Sequence, residues 1–121
     1  MAAMAGSGAL LAFLSVAFGA FAAHGLRRRL PAERLAHVHT GAQYQMYHGL
    51  AMILAAALPA GIGSGAARAA AGWLFAAGVV LFSGSLYALA LSGARRWGAV
   101  APLGGLCFLA GWATLLISVW S

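Results

Sequence analysis

Four long apolar runs divide the chain, and short connections between them hold nearly all of its charge. The runs are Met4–Ala23, Gly41–Leu58, Ala69–Leu91 and Gly98–Trp120. Each approaches the roughly 20 residues a helix needs to cross the hydrocarbon core at about 1.5 Å per residue. None shows the period-2 alternation of a half-buried strand. The pattern predicts an all-α integral membrane four-helix bundle, built as a single domain over residues 1–121.

The connections supply the punctuation. His24-Gly25-Leu26-Arg27-Arg28-Arg29 closes the first run, and Pro59-Ala60-Gly61 stops the second. Pro31 and Glu33 suit a new helix start, by fixed φ and by favourable charge at the helix N-terminus. Between Leu30 and Thr40, apolar Leu30, Leu35 and Val38 alternate with Glu33, Arg34, His37 and His39. That mixture predicts a short interfacial helix lying at the membrane surface between spans 1 and 2. In span 1, Ser15, Gly19 and Ala23 recur every fourth residue, a small-residue stripe suited to close helix approach. Met1–Ala23 reads as a retained span rather than a signal peptide, because its arginines follow the apolar run; cleavage near Ala22 or Ala23 is the alternative.

Composition agrees. The chain is 64 % hydrophobic and 7 % charged, against about 25 % charge in a soluble domain. Mean hydropathy is +0.92. A net charge of +6 would suit nucleic acid if it formed a surface patch, but here the arginines sit in connections, so no nucleic-acid partner is expected. Arg27, Arg28, Arg29, Arg34, Arg95 and Arg96 fall in the first and third connections, and only Arg68 in the second. The positive-inside rule then places the first and third connections in the cytoplasm and both termini outside it. Membrane lipids are the expected surroundings, and a homo-oligomer or a larger membrane complex the expected assembly. The single cysteine, Cys107, allows neither an intrachain disulfide nor a cysteine metal site.

Polar chemistry concentrates in a few places. His24, Gln43, Gln45, Tyr47 and His48 come from spans 1 and 2, and Ser83, Ser85 and Tyr87 from span 3. Antiparallel packing gathers these at the cytoplasmic leaflet, pointing into the bundle. Three readings compete. Interhelical hydrogen bonds that fix register are the ordinary use of buried polar groups in membrane bundles. A site for a lipid or quinone-like head group is the second. A metal or haem site on His24 and His48 is the third, and it lacks a carboxylate to orient either imidazole. No carboxylate lies within a span, and no serine has a histidine and acid beside it, so neither proton pumping nor nucleophilic catalysis is indicated. No catalytic residue, metal or cofactor is assigned.

Gly19-Ala20-Phe21-Ala22-Ala23-His24-Gly25-Leu26, Gln43-Tyr44-Gln45-Met46-Tyr47-His48, Leu81-Phe82-Ser83-Gly84-Ser85-Leu86-Tyr87 and Pro102-Leu103-Gly104-Gly105 with Gly111-Trp112 resemble the marks of domain-of-unknown-function family 423. Ala22 departs from a family pattern that prefers glycine there. The resemblance covers nearly the whole chain and implies a four-span bacterial inner-membrane protein. It implies no activity. The expectation is a structural or accessory membrane protein rather than an enzyme, with a lipid or quinone-like binder as the alternative.

Overall fold

The computed structural model describes residues 1–121 and is helical throughout. Four helices follow in order: α1 (Ala2–His24), α2 (Ala32–Ala57), α3 (Gly65–Ser92) and α4 (Ala101–Trp120). Single 3-10 turns at Leu26–Arg28 and Arg95–Ala99 join α1 to α2 and α3 to α4. The first three residues of α4 include Pro102, where a missing N–H costs no helical bond. The Ser64 hydroxyl caps α3 by accepting from the Ala67 N–H at 3.0 Å. Gly93 ends that helix at φ +70, a left-handed turn that a side chain would strain. By length and apolarity, α1, α3 and α4 can each cross a membrane.

One expectation fails. No separate surface helix lies between spans 1 and 2, because Leu30–Thr40 runs without a break into α2. No proline or glycine pair interrupts the backbone between Ala32 and Ala57, and Val38 is buried against Ala22, Leu26 and Ala90 rather than left at the interface. Tertiary packing therefore extends the helix through a segment that composition marks as a boundary. The longer α2 also moves Gln45 and His48 to its middle.

Each helix packs on its neighbours in sequence. α2 and α3 form the central antiparallel pair, α1 flanks α2, α4 flanks α3, and α1 and α4 share no packed interface. Two arginines lock the central pair. Arg34, in the first turn of α2, donates from Nε to the Ala90 carbonyl at 2.7 Å and from Nη2 to the Leu91 carbonyl at 2.9 Å. Arg68, in the first turn of α3, donates to the Leu58 carbonyl at 2.5 Å. Each guanidinium thus meets the free carbonyls and the negative dipole end of the partner helix.

Close helix approach is set by glycine, though not by the stripe expected in α1. Gly8 and Gly49 face each other where α1 crosses α2. A Cβ on Gly8 would stand 2.5 Å from the Gly49 carbonyl oxygen, and one on Gly49 2.8 Å from that of Gly8. Of the expected stripe, Ser15 is buried, Ala23 is exposed, and nothing lies within 4 Å of where a Gly19 Cβ would be. The helix turns its Gly8 face to α2, because only there can two backbones touch. Above this contact lies an apolar core of Met4, Ala51, Met52, Ala55, Ala71 and Phe75.

The two kinds of glycine should respond oppositely. Gly49→Ala forces backbone apart and is expected to cost about 1–3 kcal/mol, whereas Gly19→Ala is neutral or stabilising by up to about 1 kcal/mol through helix propensity. Unfolding of the detergent-solubilised protein measures both; equal effects would contradict the assigned crossing.

Candidate functional site

The polar residues Gln43–His48 sit in the middle of α2, before its apolar second half, and the helix sorts them onto two faces. Positions 41, 45, 48 and 49 face the bundle, while 43, 44 and 47 face outward. A spacing of three and four residues produces this division.

On the inward face, Gln45 is 3 % exposed and joins three helices. Its Nε2 donates to the Leu11 carbonyl of α1 at 2.8 Å, and its Oε1 accepts from the Tyr87 hydroxyl of α3 at 2.7 Å. One turn earlier, the buried Ser83 hydroxyl of α3 donates to the Gly41 carbonyl at 2.7 Å. Gly41 leaves room for the Tyr87 ring, whose edge would lie 2.7 Å from any Cβ there. One amide therefore ties α1, α2 and α3 at a single level.

His48, 4 % exposed, makes the matching tie to α4. Its Nδ1 lies 2.7 Å from the Tyr44 carbonyl, and the Trp112 indole N–H points at its Nε2 from 3.1 Å. A carbonyl can only accept and an indole N–H can only donate, so the ring is the neutral tautomer with its proton on Nδ1. The imidazole stacks on Phe108 with ring centroids 3.6 Å apart and planes within 7°. Both ring nitrogens are occupied, and the ring faces are covered by aromatic neighbours.

Other expected members lie elsewhere. His24 is exposed at the end of α1, outside this network. Gln43 and Tyr47 are exposed and bond to each other, the amide donating to the phenol oxygen at 2.6 Å. Ser85 is buried but turns back on its own helix, donating to the Phe82 carbonyl at 2.9 Å. His24 and His48 thus do not meet, and no group of three metal-binding side chains forms. Along α2, Gln45 stands about 17 Å from the Arg34 end and about 20 Å from the Leu58 end, near the middle of the helix. Sequence reasoning missed Leu11, whose contribution is a carbonyl, and Phe108, which reads as an ordinary apolar residue of span 4; Trp112 entered only as a family mark, with no role given to it. The shared helical face of Gly104, Phe108 and Gly111 is a signal that could have found them.

Outside His48 lies a groove of about 560 Å³ between α2 and α4. Its walls are Tyr44, Tyr47, Phe82, Phe108 and Trp112, and Gly105 leaves one side open.

These features define a small helical membrane protein with a hydrogen-bonded polar core. The chain belongs to the family described as "Protein of unknown function (DUF423)", whose model matches residues 18–105. It is 46 % identical to the UPF0382 membrane protein YwdK of Bacillus subtilis, over 92 % of this chain and 90 % of that protein. It is 47 % identical to the membrane protein SH2409 of Staphylococcus haemolyticus, over 92 % and 89 % respectively. Against the inner membrane protein YgdD of Escherichia coli K12 the identity is 42 %, over 90 % and 82 %. No solved structure matches the chain.

The Gln45–Tyr87 bond should show as coupling. In a double-mutant cycle of Gln45→Leu and Tyr87→Phe, the interaction energy is expected at about 0.6–1.7 kcal/mol, the range for interhelical bonds in lipid. Additive single effects would remove the bond from the account of stability.

Proposed function

We propose that the protein crosses the bacterial inner membrane four times, with both termini outside the cytoplasm, and serves there as a structural or accessory component without an enzymatic reaction of its own. The observation that carries this reading is the internal use of the buried polar groups. Gln45, His48, Ser83, Ser85 and Tyr87 each bond to another group of the same chain. Such bonds fix the register of helices, because an unsatisfied amide in hydrocarbon costs several kcal/mol.

Support for α2 as the fourth span comes from the arginine locks. Although less apolar than the other helices, α2 runs about 36 Å from Arg34 to Leu58, and α3 about 33 Å from Arg68 to Ala90. A hydrocarbon core of about 30 Å fits between them, with a guanidinium at each edge. The locks also sharpen the charge asymmetry. Arg34 and Arg68 are engaged with helix ends, so the remaining arginines, Arg27, Arg28, Arg29, Arg95 and Arg96, all lie in the first and third connections. Arg96 further rests over the Trp97 ring, 5.8 Å from its centroid, in the manner of an interfacial anchor.

A reporter active only in the cytoplasm should be silent when fused after Ser121 and active when inserted at Gly93-Ala94; the reverse pattern inverts the orientation, and activity at both sites changes the number of crossings.

The accessory reading predicts a partner or a defined oligomer on purification in mild detergent, seen as a reproducible complex in native mass spectrometry. A strictly monomeric chain with no companion protein would argue against it.

A further inference from the structure

The groove between α2 and α4 goes beyond the accessory role, and its depth rests on the four-span placement proposed above. It is distinct from the Gln45 network, and it meets the polar core only at His48, whose ring forms part of its wall. Three of its properties limit what could occupy it.

The first is depth. Tyr44 stands about 15 Å along α2 from Arg34, and His48 about 15 Å from Leu58, so the groove opens near the middle of the bilayer. No charged side chain lines it. An ionic head group would pay heavily to reach this level without a partner, so the occupant is neutral.

The second is shape. The walls are flat rings. Tyr44 lies 4.9 Å from Phe82 between centroids, and Phe82 lies 5.5 Å from Phe108. Such walls offer ring faces and edges to a flat aromatic or quinonoid ring, more specifically than to a flexible acyl chain. The space is of the size that holds small cofactors.

The third is hydrogen bonding. The Trp112 N–H is already given to His48, so it is not free for a ligand. Tyr47 accepts from Gln43 through its oxygen and keeps its own proton to donate. The Tyr44 hydroxyl has no partner within the chain, although its carbonyl is bonded by His48, and the residue is 38 % exposed. The Tyr44 and Tyr47 rings pack edge to face with centroids 5.7 Å apart, and both line the groove, so two phenol donors belong to its wall. They call for acceptors on the occupant, and carbonyl oxygens on a neutral ring supply them.

Gly105 is what keeps the groove open. A Cβ there would meet nothing within 4 Å, whereas the adjacent Gly104 is pressed against the backbone of Phe82. Helix packing thus requires Gly104 and makes no demand on Gly105.

From the groove's depth, aromatic walls and paired phenol donors we propose that it binds the ring of a lipid-soluble quinone-type molecule, a neutral flat ring bearing carbonyl acceptors, whose apolar tail leaves through the open side into the membrane.

The test uses the full chain in phospholipid nanodiscs, titrated with a short-tailed benzoquinone and a short-tailed naphthoquinone while tryptophan fluorescence is followed. Collisional quenching in the lipid is common to every variant and is not saturable. Binding is expected to add a saturable component. Gly105→Phe should weaken it at least about tenfold by filling the groove, and Tyr44→Phe about three- to tenfold by removing a donor. Gly84→Phe is the control, since Gly84 is equally free of neighbours and lies outside the groove. It should bind as the natural chain does. Gly105→Ala and Tyr44→Phe provide the comparison if the larger side chain disturbs folding. Quenching that is not saturable, or that is the same in the natural chain, Gly105→Phe and Tyr44→Phe, overturns the proposal. So does phospholipid retained by the natural chain and lost from Gly105→Phe without any saturable quinone binding, which would make the groove an acyl-chain slot. Loss of self-association in Gly105→Phe under the same conditions, again without quinone binding, would make it a contact between two copies.

Discussion

The antiparallel α2–α3 pair is held at both ends by an arginine from one helix on the last carbonyls of the other. In a bilayer this exchange matters more than it would in water. A helix end near hydrocarbon leaves carbonyls that no water reaches freely, and an arginine in the first turn of a helix opposes its own dipole. Crossing the two solves both difficulties at once. Arg34 repels the start of α2 but serves the end of α3, and Arg68 does the converse. The pair is thereby fixed in length and in register, and α1 and α4 are added to its flanks.

That register decides where the polar core falls. With Arg34 at Ala90 and Arg68 at Leu58, Gln45 meets Tyr87 and Ser83 meets the Gly41 carbonyl between the two locks. α1 then docks where Gly8 and Gly49 let two backbones touch, which brings the Leu11 carbonyl to the Gln45 amide. α4 docks where Gly104 meets Phe82, which brings Trp112 to His48. The close contacts and the hydrogen bonds are one arrangement seen twice. Shifting either flanking helix by a turn would leave the buried Gln45 amide or the buried His48 ring nitrogen without its partner.

The helices themselves were legible in the sequence, because unbroken apolar runs bounded by Gly, Pro and Arg admit little else. The family was legible too, from the Gln43–His48 run. The start of α2 was not. Its first two turns carry charge and histidine, and what makes them part of the long helix is Val38 packing against Ala22, Leu26 and Ala90, a contact between distant positions. The direction of each polar residue was half legible. Gln45 and His48 do point inward, but Gln43 and Tyr47, two and one residues away, point out, and only the orientation of the whole helix separates them. The roles of Arg34 and Arg68 were hidden for a different reason. An arginine in a loop between spans looks the same whether it meets lipid phosphate or a helix end.

The two adjacent glycines of α4 show how close packing and open space separate on one turn of helix. If both served packing, both would lie against α3. Gly104 does, with Phe82 pressed onto it, but Gly105 points away from α3 toward the gap before α2. A helix in lipid gains nothing in stability from glycine at such a place, and loses about 1 kcal/mol relative to alanine. The same holds at Gly84, so an open glycine alone proves nothing. What distinguishes Gly105 is its surroundings: the rings of Tyr44, Phe108 and Trp112 stand around the space it leaves, with two phenol donors at its edge. A side chain there would close a groove whose walls the His48–Trp112 bond and the His48–Phe108 stack hold in place. The polar core therefore has a second consequence besides register: it keeps those rings from collapsing into the groove they line.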